Sequence, residues 1–398
     1  MLRRAGKFQK PRCPVSAPLP EDSGEVLNRK WLEWAKQESF RRLAFRTFLM
    51  DAQSSMTLLV NPLICYAELS DSLPESAELW TAEDAEQWKA LYLQRSMRSP
   101  DAQLSLISFL RQRSEPLALE GYHDVHFSSL IVLHGFWGLI WEYLQHLSVL
   151  NIRPGDSNAV MNLRYQELCN LLSHFRIGIS DLREGPCPET TLILQALSMY
   201  LHMSLEDIQL FAGKEDIEEA SRVLPSLQQW MSHSQSRQAV WHAGQVLAAA
   251  RGFPTKQLSG FLAITVYHAS LACWTYGLIS QAKSARDQQN AGSIAPGEVL
   301  VSTQPQPTQG PRLDGDETGE VQRFIVLGRG SPAITQSNDA SETTDLVRLS
   351  QPEAVMMVVL SVLKRNFPQR DGEALPPLVE NLTQLLRDLS IAAGSVGH

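Results

Sequence analysis

The residues closest to a metal-ligand spacing are His123, His126 and His134. A zinc site needs further ligands, and no acid–histidine helix motif supplies them, so these read as satisfied or surface histidines. The five cysteines, Cys13, Cys65, Cys169, Cys187 and Cys273, form no Cys-x-x-Cys pair. They make no zinc ribbon, and their odd count and wide scatter argue against a disulfide framework, which fits a reducing compartment. Gly328-Arg329-Gly330-Ser331-Pro332-Ala333 fits a dinucleotide fingerprint in letters. The fingerprint must open a helix, which Pro332 and the polar Gln336–Asp339 deny, so a plain turn is expected. His-Glu-x-x-His, Gly-x-Ser-x-Gly, a Walker loop and the paired aspartates of diphosphate chemistry are all missing from the sequence. Glu215-Asp216-Ile217-Glu218-Glu219 reads as a solvated helix start. His242 and His268, in apolar helices, read as buried polar groups.

Arg41 and Arg42 remain. On a helix they point about 100° apart. One is expected to pair with Glu38, and the other to reach Asp51 or a loop carbonyl. A guanidinium fork ties several chain turns together, or clamps a ligand carboxylate or phosphate; the structural role is the favoured one. Trp31/Trp34 and Trp137/Trp141 read as core. Gly135 and Gly138 allow close helix packing or leave room for an effector.

The elements that must position these residues are helical. The chain of 398 residues is 43% apolar, with 9 Trp and 13 Phe, enough to exclude wholesale disorder. Its net charge of −8 excludes a general nucleic-acid coat protein. Arg3, Arg4, Lys7, Lys10 and Arg12 put +5 in the first twelve residues, leaving −13 on the body, −8 less +5. Residues 1–24, rich in proline, read as a disordered lead-in. Helices are expected over 26–56, 81–96, 101–113, 122–150, 156–176, 189–202, 204–212, 214–231, 235–251 and 255–284. Caps are expected at Ser204 and at Ser234 or Ser236, and a left-handed stop at Gly252. Gln257–Ala282 holds no charged residue, yet its Ser, Thr, His and Gln content suits a helix inside an α-domain better than one in lipid. Residues 285–320 read as a disordered linker, Val321–Leu327 as a short strand or extended piece, and Ser337–Thr344 as a polar gap. Helices opening near Pro352 and at Pro376-Pro377 complete a C-terminal tail over 321–398. The fold class is all-α, with one helical domain over 25–284.

Several stretches, in order, resemble a known family. They are Trp31-Leu32-Glu33-Trp34, Glu38-Ser39-Phe40-Arg41-Arg42-Leu43, Asp51, Pro62, Leu73-Pro74 and Leu79-Trp80. Ser236 to Val246 follows, with Arg237, Ala239, His242, Ala243 and Gly244, and then Pro254, Tyr267-His268-Ala269, Leu271 and Trp274. The set resembles the fungal-specific transcription factor regulatory domain, or middle homology region. Arg323–Pro332 and Leu375–Leu382 resemble the tail of members that bind DNA through two-Cys two-His zinc fingers. Ala44, with Phe45 next, departs from the aromatic usual after the arginine pair. The resemblance implies an all-α, non-catalytic regulator of RNA polymerase II transcription in the nucleus. It implies Arg41, Arg42, Asp51, Pro62, Arg237, His242 and Gly244 as a fold signature. Zinc belongs to the fingers, whose spacing does not occur in this sequence, so DNA contact is expected indirectly or through fingers outside it. Co-regulator proteins or a second copy are the expected partners, with no membrane and an unnamed effector. The competing reading is an all-α enzyme or membrane-associated protein without a catalytic motif.

Overall fold

Leu27, Trp34, Arg41, Phe45, Phe48, Ala52 and Met56 recur at three-, four- and seven-residue spacing, which places them on one face of a helix. In the computed structural model they line the buried side of α1, Gly24–Leu58, which ends with Leu59 in the left-handed region at φ 53°. The structure describes residues 3, 4, 6, 8, 16–96, 104–113, 116–150, 158–291, 310–336, 345–368 and 374–396. They divide into two units, one covering Met1–Val149 and Ala159–Thr190, the other Leu150–Asn158 and Thr191–His398.

In the first unit α1 is followed by α2 (Ala77–Trp80), α3 (Ala85–Ser96), α4 (Leu106–Gln112), α5 (Val125–Val149) and α6 (Ala159–Ser180). The central α5 packs against α1, α4 and α6. Gly135 and Gly138 are where neighbours come closest: a Cβ on Gly135 would lie 2.9 Å from Leu106 Cδ1, and one on Gly138 2.5 Å from Tyr66 Cδ1. The space that an effector would need is therefore filled by protein. Trp34 and Trp88 meet as tilted rings with centres 5.6 Å apart and, with Leu27 and Leu79, form a separate cluster that Trp31 covers. Part of the expected lead-in is ordered. Phe8 is buried, its carbonyl accepts from Ser70 N at 3.0 Å, and Arg3 pairs with Glu68 at 2.6 Å.

The second unit holds most of α7 (Pro188–Leu201), then α8 (Leu205–Phe211), α9 (Ile217–Ser232), α10 (Ser234–Arg251), α11 (Phe261–Ala291) and α12 (Gly319–Leu327). A hairpin of β1 (Ala333–Gln336) and β2 (Asp345–Arg348) follows, then α13 (Pro352–Asn366) and α14 (Pro377–Val396). The strands are antiparallel, with Ala333 opposite Arg348 and Gln336 opposite Asp345. Helix α11 is the axis: α8, α10, α13 and α14 pack around it, and Trp274 Nε1 donates to Leu389 O at 3.1 Å.

Several expectations need correction. Val321–Leu327 is helical. Thr318 caps it through Val321 N, Gly328 stops it at φ 66°, and Val321, Phe324 and Ile325 form its buried stripe. The linker narrows from both sides. Helix α11 runs on to Ala291, and at the other end Leu313 and Asp314 are buried. Of the linker's expected centre, Val301–Gly310, all but Gly310 lies outside the described residues, as does Ser337–Thr344. The tail beyond 321 is no separate appendage, because α12 packs on α10, and α13 on α11. The boundary inside 25–284 instead falls within α7. Gly252 ends α10 at φ −80° and is not left-handed, and His233, not a serine, precedes the helix. Ser204 does cap α8, accepting from Asp207 N at 3.2 Å.

Among the described residues two helices are long and apolar enough to cross a membrane, Val125–Val149 and Phe261–Gln288, but their apolar windows are 72% and 78% buried inside the protein.

Candidate functional site

The arginine pair sits mid-way along α1, where a polar face meets the loop from Leu59 to Ser76. Glu38, one turn earlier, has a side chain with no solvent exposure. Its carboxylate accepts from Arg41 Nη1 at 2.6 Å, Arg42 Nε at 2.9 Å and Glu75 N at 3.0 Å. Arg41 continues to Asp71 at 3.3 Å. Arg42 donates to Asp124 Oδ2 at 2.9 Å and to Glu75 O at 2.7 Å, with its guanidinium carbon 4.9 Å from the Trp80 ring centre. Arg95 of α3 closes the set by pairing with Glu75. Burial pushes the Glu38 carboxyl up, against the pull of Arg41 and Arg42. Burial also works against the Arg41 charge, but Glu38, Asp71 and Glu75 outweigh it and hold the guanidinium protonated.

The chemistry of this cluster follows from its charge. Four carboxylates, Glu38, Asp71, Glu75 and Asp124, face three guanidiniums, Arg41, Arg42 and Arg95. An incoming phosphate or carboxylate would displace one of these bonds and meet an excess of like charge. The forks instead join α1, the loop, α3 and the start of α5. Of the two partners expected for the second arginine, Asp51 or a loop carbonyl, Arg42 takes the loop carbonyl of Glu75 and neither arginine reaches Asp51. It lies two and a half turns further along α1 and accepts from Ile64 N at 2.8 Å, fixing the loop that carries half-buried Pro62. Sequence reasoning missed Asp71, Glu75, Asp124 and Arg95. The only local sign was acids set among apolar residues in Leu69–Glu75.

The second set of signature residues is in the other unit. On α10, Arg237, Gly244, Gln245 and Arg251 fall within one stripe, at offsets of seven, eight and fourteen residues. That stripe receives the chain from Gly310 to Leu327. Arg237 donates to Ile325 O at 2.8 Å and Val326 O at 3.3 Å, meeting the free carbonyls at the end of α12. Gln245 Nε2 donates to Leu313 O and Gly315 O, both at 2.8 Å. Arg251 pairs with Asp314 and donates to Thr335 O at 2.9 Å. Gly244 is required by proximity: a Cβ there would lie 2.5 Å from both Leu313 Cβ and Leu313 O. Gly244→Ala is therefore expected to cost about 1–3 kcal/mol, the usual range for overpacking. Chemical denaturation of the second unit measures it. On the opposite face, His242 Nδ1 meets Gln195 Oε1 at 2.7 Å, and its ring stacks on His202 at 5.5 Å.

Burial pushes His202 down to about 3, and burial with nearby Lys214 pushes His268 down to about 3. His268 also meets the Tyr200 hydroxyl at 2.9 Å. An unfolded histidine titrates near 6.5. Between that value and 3 the unfolded chain binds protons that the folded chain refuses, so stability falls as pH falls. Each of these histidines is expected to remove about 2 kcal/mol at pH 5 relative to pH 7. A thermal midpoint for the second unit that drops steeply below pH 6.5 checks it. Among the described residues no group of three His, Cys, Asp or Glu side chains is placed to hold a metal ion.

The stretch that carries the first set of contacts and runs into α10 corresponds to a known family. The profile described as "Fungal specific transcription factor domain" matches residues 11–242, more than half of the chain. The chain belongs to this family. Transcription factor PfmaH of Pestalotiopsis fici is 26% identical over 319 residues, covering 75% of this chain and 32% of PfmaH. Transcription factor 1 of Elsinoe fawcettii is 23% identical over 364 residues, covering 86% and 36%. Zinc finger protein klf1 of Schizosaccharomyces pombe is 23% identical over 290 residues, covering 68% and 36%. The chain thus spans about a third of the length of these curated relatives. No solved structure matches it. Similarity to Transcription factor 1 extends well past the end of the family profile, as expected if the C-terminal helices pack with α10 and α11 in one unit.

Proposed function

We propose that this chain is the regulatory module of a fungal transcription factor, acting in the nucleus on RNA polymerase II transcription and catalysing no reaction. The observation that carries this is the family match over residues 11–242. The site geometry agrees with it, because the arginine forks of the signature are already occupied by carboxylates of their own fold. The signature residues Arg41, Arg42, Asp51, Pro62, Arg237, His242 and Gly244 then serve to hold two helical units in shape. The −13 body repels phosphate, so DNA contact is assigned to zinc fingers of a longer protein or to a partner chain, and zinc to those fingers. Co-regulator proteins or a second copy are the partners that such a module binds. A membrane role is not proposed, since the two apolar helices bury most of their length in protein.

The test is to fuse the full chain to an unrelated DNA-binding domain above a reporter gene in a fungal host. The reading expects reporter output to rise or fall severalfold with the fusion bound. Output indistinguishable from that of the DNA-binding domain alone, with the fusion folded and nuclear, would overturn it.

A further inference from the structure

One cluster of reactive groups lies outside both signature networks. Cys187 immediately precedes α7, after the left-handed Gly185 (φ 68°) and before Pro188. Its Sγ accepts from Thr190 N at 3.4 Å, in the way a capping side chain does, and lies 3.1 Å from Thr190 Oγ1. His126, in the first turn of α5, places Nδ1 3.1 Å from the same sulfur and Nε2 3.3 Å from Glu189 Oε2. Both ring nitrogens thus face acceptors. A neutral imidazole donates from only one nitrogen, whereas an imidazolium donates from both. Two proton placements satisfy every atom: a thiol donating to Nδ1 beside an Nε2–H held by Glu189, and thiolate, imidazolium, carboxylate; the second is favoured by the Thr190 N–H that donates to the sulfur. The first turn of a 14-residue helix adds its own positive end.

The other cysteines mark the contrast. Burial pushes Cys273 up to about 12 and Cys169 up to about 11. Burial would raise Cys187 too, but hydrogen bonds from His126 and Thr190 outweigh it and bring it below the ordinary thiol value. His126 is pushed up to about 10 by Cys187 and Glu189. Arg46 on α1 is the remaining charged group that acts on Glu189 and holds it ionised, while His134 on α5, pushed down to about 4 by burial, stays neutral above that pH. Cys187 is half-buried beside a His126 side chain that is 50% exposed, so a small reagent approaches from the His126 side.

We propose that Cys187 is a nucleophilic modification site for soft carbon electrophiles, the class of α,β-unsaturated carbonyls. In the step, the sulfur lone pair forms a C–S bond at the β-carbon. The C=C pair shifts to the α-carbon, and the His126 imidazolium supplies its proton there. The products are a thioether and a neutral imidazole, with no oxidant required. The adduct would sit where α7 begins, which makes it a route by which a small electrophile marks the regulatory module covalently.

N-ethylmaleimide, itself such an electrophile, is the probe. Its rate of addition to Cys187 in the full chain is followed by peptide mass spectrometry from pH 5 to 8. The rate curve is expected to bend below the value of about 8.5 shown by a simple peptide thiol. At pH 6 Cys187 should react on the order of tenfold faster than that peptide. His126→Asn should move the bend upward and cut the pH 6 rate about tenfold, leaving the exposed Cys65 unchanged. Glu189→Gln should shift it in the same direction by less. A Cys187 rate equal to the peptide thiol at pH 6, or a bend that neither variant moves, would overturn the proposal.

Discussion

Replacing Glu38 by alanine is expected to remove about 3–5 kcal/mol from the stability of the first unit. The substitution deletes the one buried carboxylate that both forks share, leaving Arg41 with Asp71 and Arg42 with Asp124 and the Glu75 carbonyl, in side chains only 7% and 16% exposed. It also leaves Glu75 N without its acceptor. An exposed pair such as Arg222–Glu219, 64% and 32% exposed, should give about 0–1 kcal/mol by the same substitution. Glu38→Gln keeps the shape and one acceptor oxygen, and should fall between the two. Urea denaturation followed by tryptophan fluorescence reads the difference, since Trp80 lies against Arg42 and Trp34 in the adjoining cluster. A Glu38→Ala loss no larger than that of the surface pair would show that solvent screens the cluster.

Asp314→Ala should have a comparable effect, about 3–5 kcal/mol, on the second unit. The Asp314 side chain has no exposure and accepts from Arg251, Thr335 N at 2.8 Å, Thr335 Oγ1 at 3.0 Å and Arg312 Nε at 3.3 Å. Without it Arg251 keeps the Thr335 carbonyl, and the chain entering α12 is left to the Gln245 bonds from α10 and the Leu313–Ala333 bond to β1. Asp314→Asn retains the shape but not the charge and is expected to recover part of the loss. Thermal unfolding of the second unit is the measurement. A midpoint unchanged in Asp314→Ala would mean that Gln245 and Leu313 anchor this segment unaided.

How far the sequence reached depended on distance along the chain. Helix α1 was legible because its apolar spacing and the Glu38–Arg42 pair are local. The arginine partners were not, because Glu75 and Asp124 lie 33 and 82 residues from Arg42. Asp51 was drawn in as a nearby acid, but the helix carries it more than two turns away, to a loop amide instead. In α10 the motif letters were visible while their purpose was not, since the need for Gly244 comes from Leu313, far down the chain. The misassigned α12 shows the ambiguity of a short apolar run. Phe324-Ile325-Val326 favours a strand by residue type, and only Thr318 and Gly328 at its ends mark the helix. His126 was read as a satisfied or surface histidine. Its partner Cys187, 61 residues away, turns it toward thiol chemistry.

The central claim is that the family signature builds the fold of a regulatory module and does not itself bind a signal. The most direct measurement takes the reporter fusion with Glu38→Ala, Arg42→Met, Gly244→Ala and Asp314→Ala, and plots output against the folded fraction of each variant. The account predicts a single curve, in which output is lost only as folding is lost and lower temperature restores both together. A variant as folded as the parent chain but without output, most tellingly Arg42→Met, would contradict it and assign that residue to a ligand or a partner.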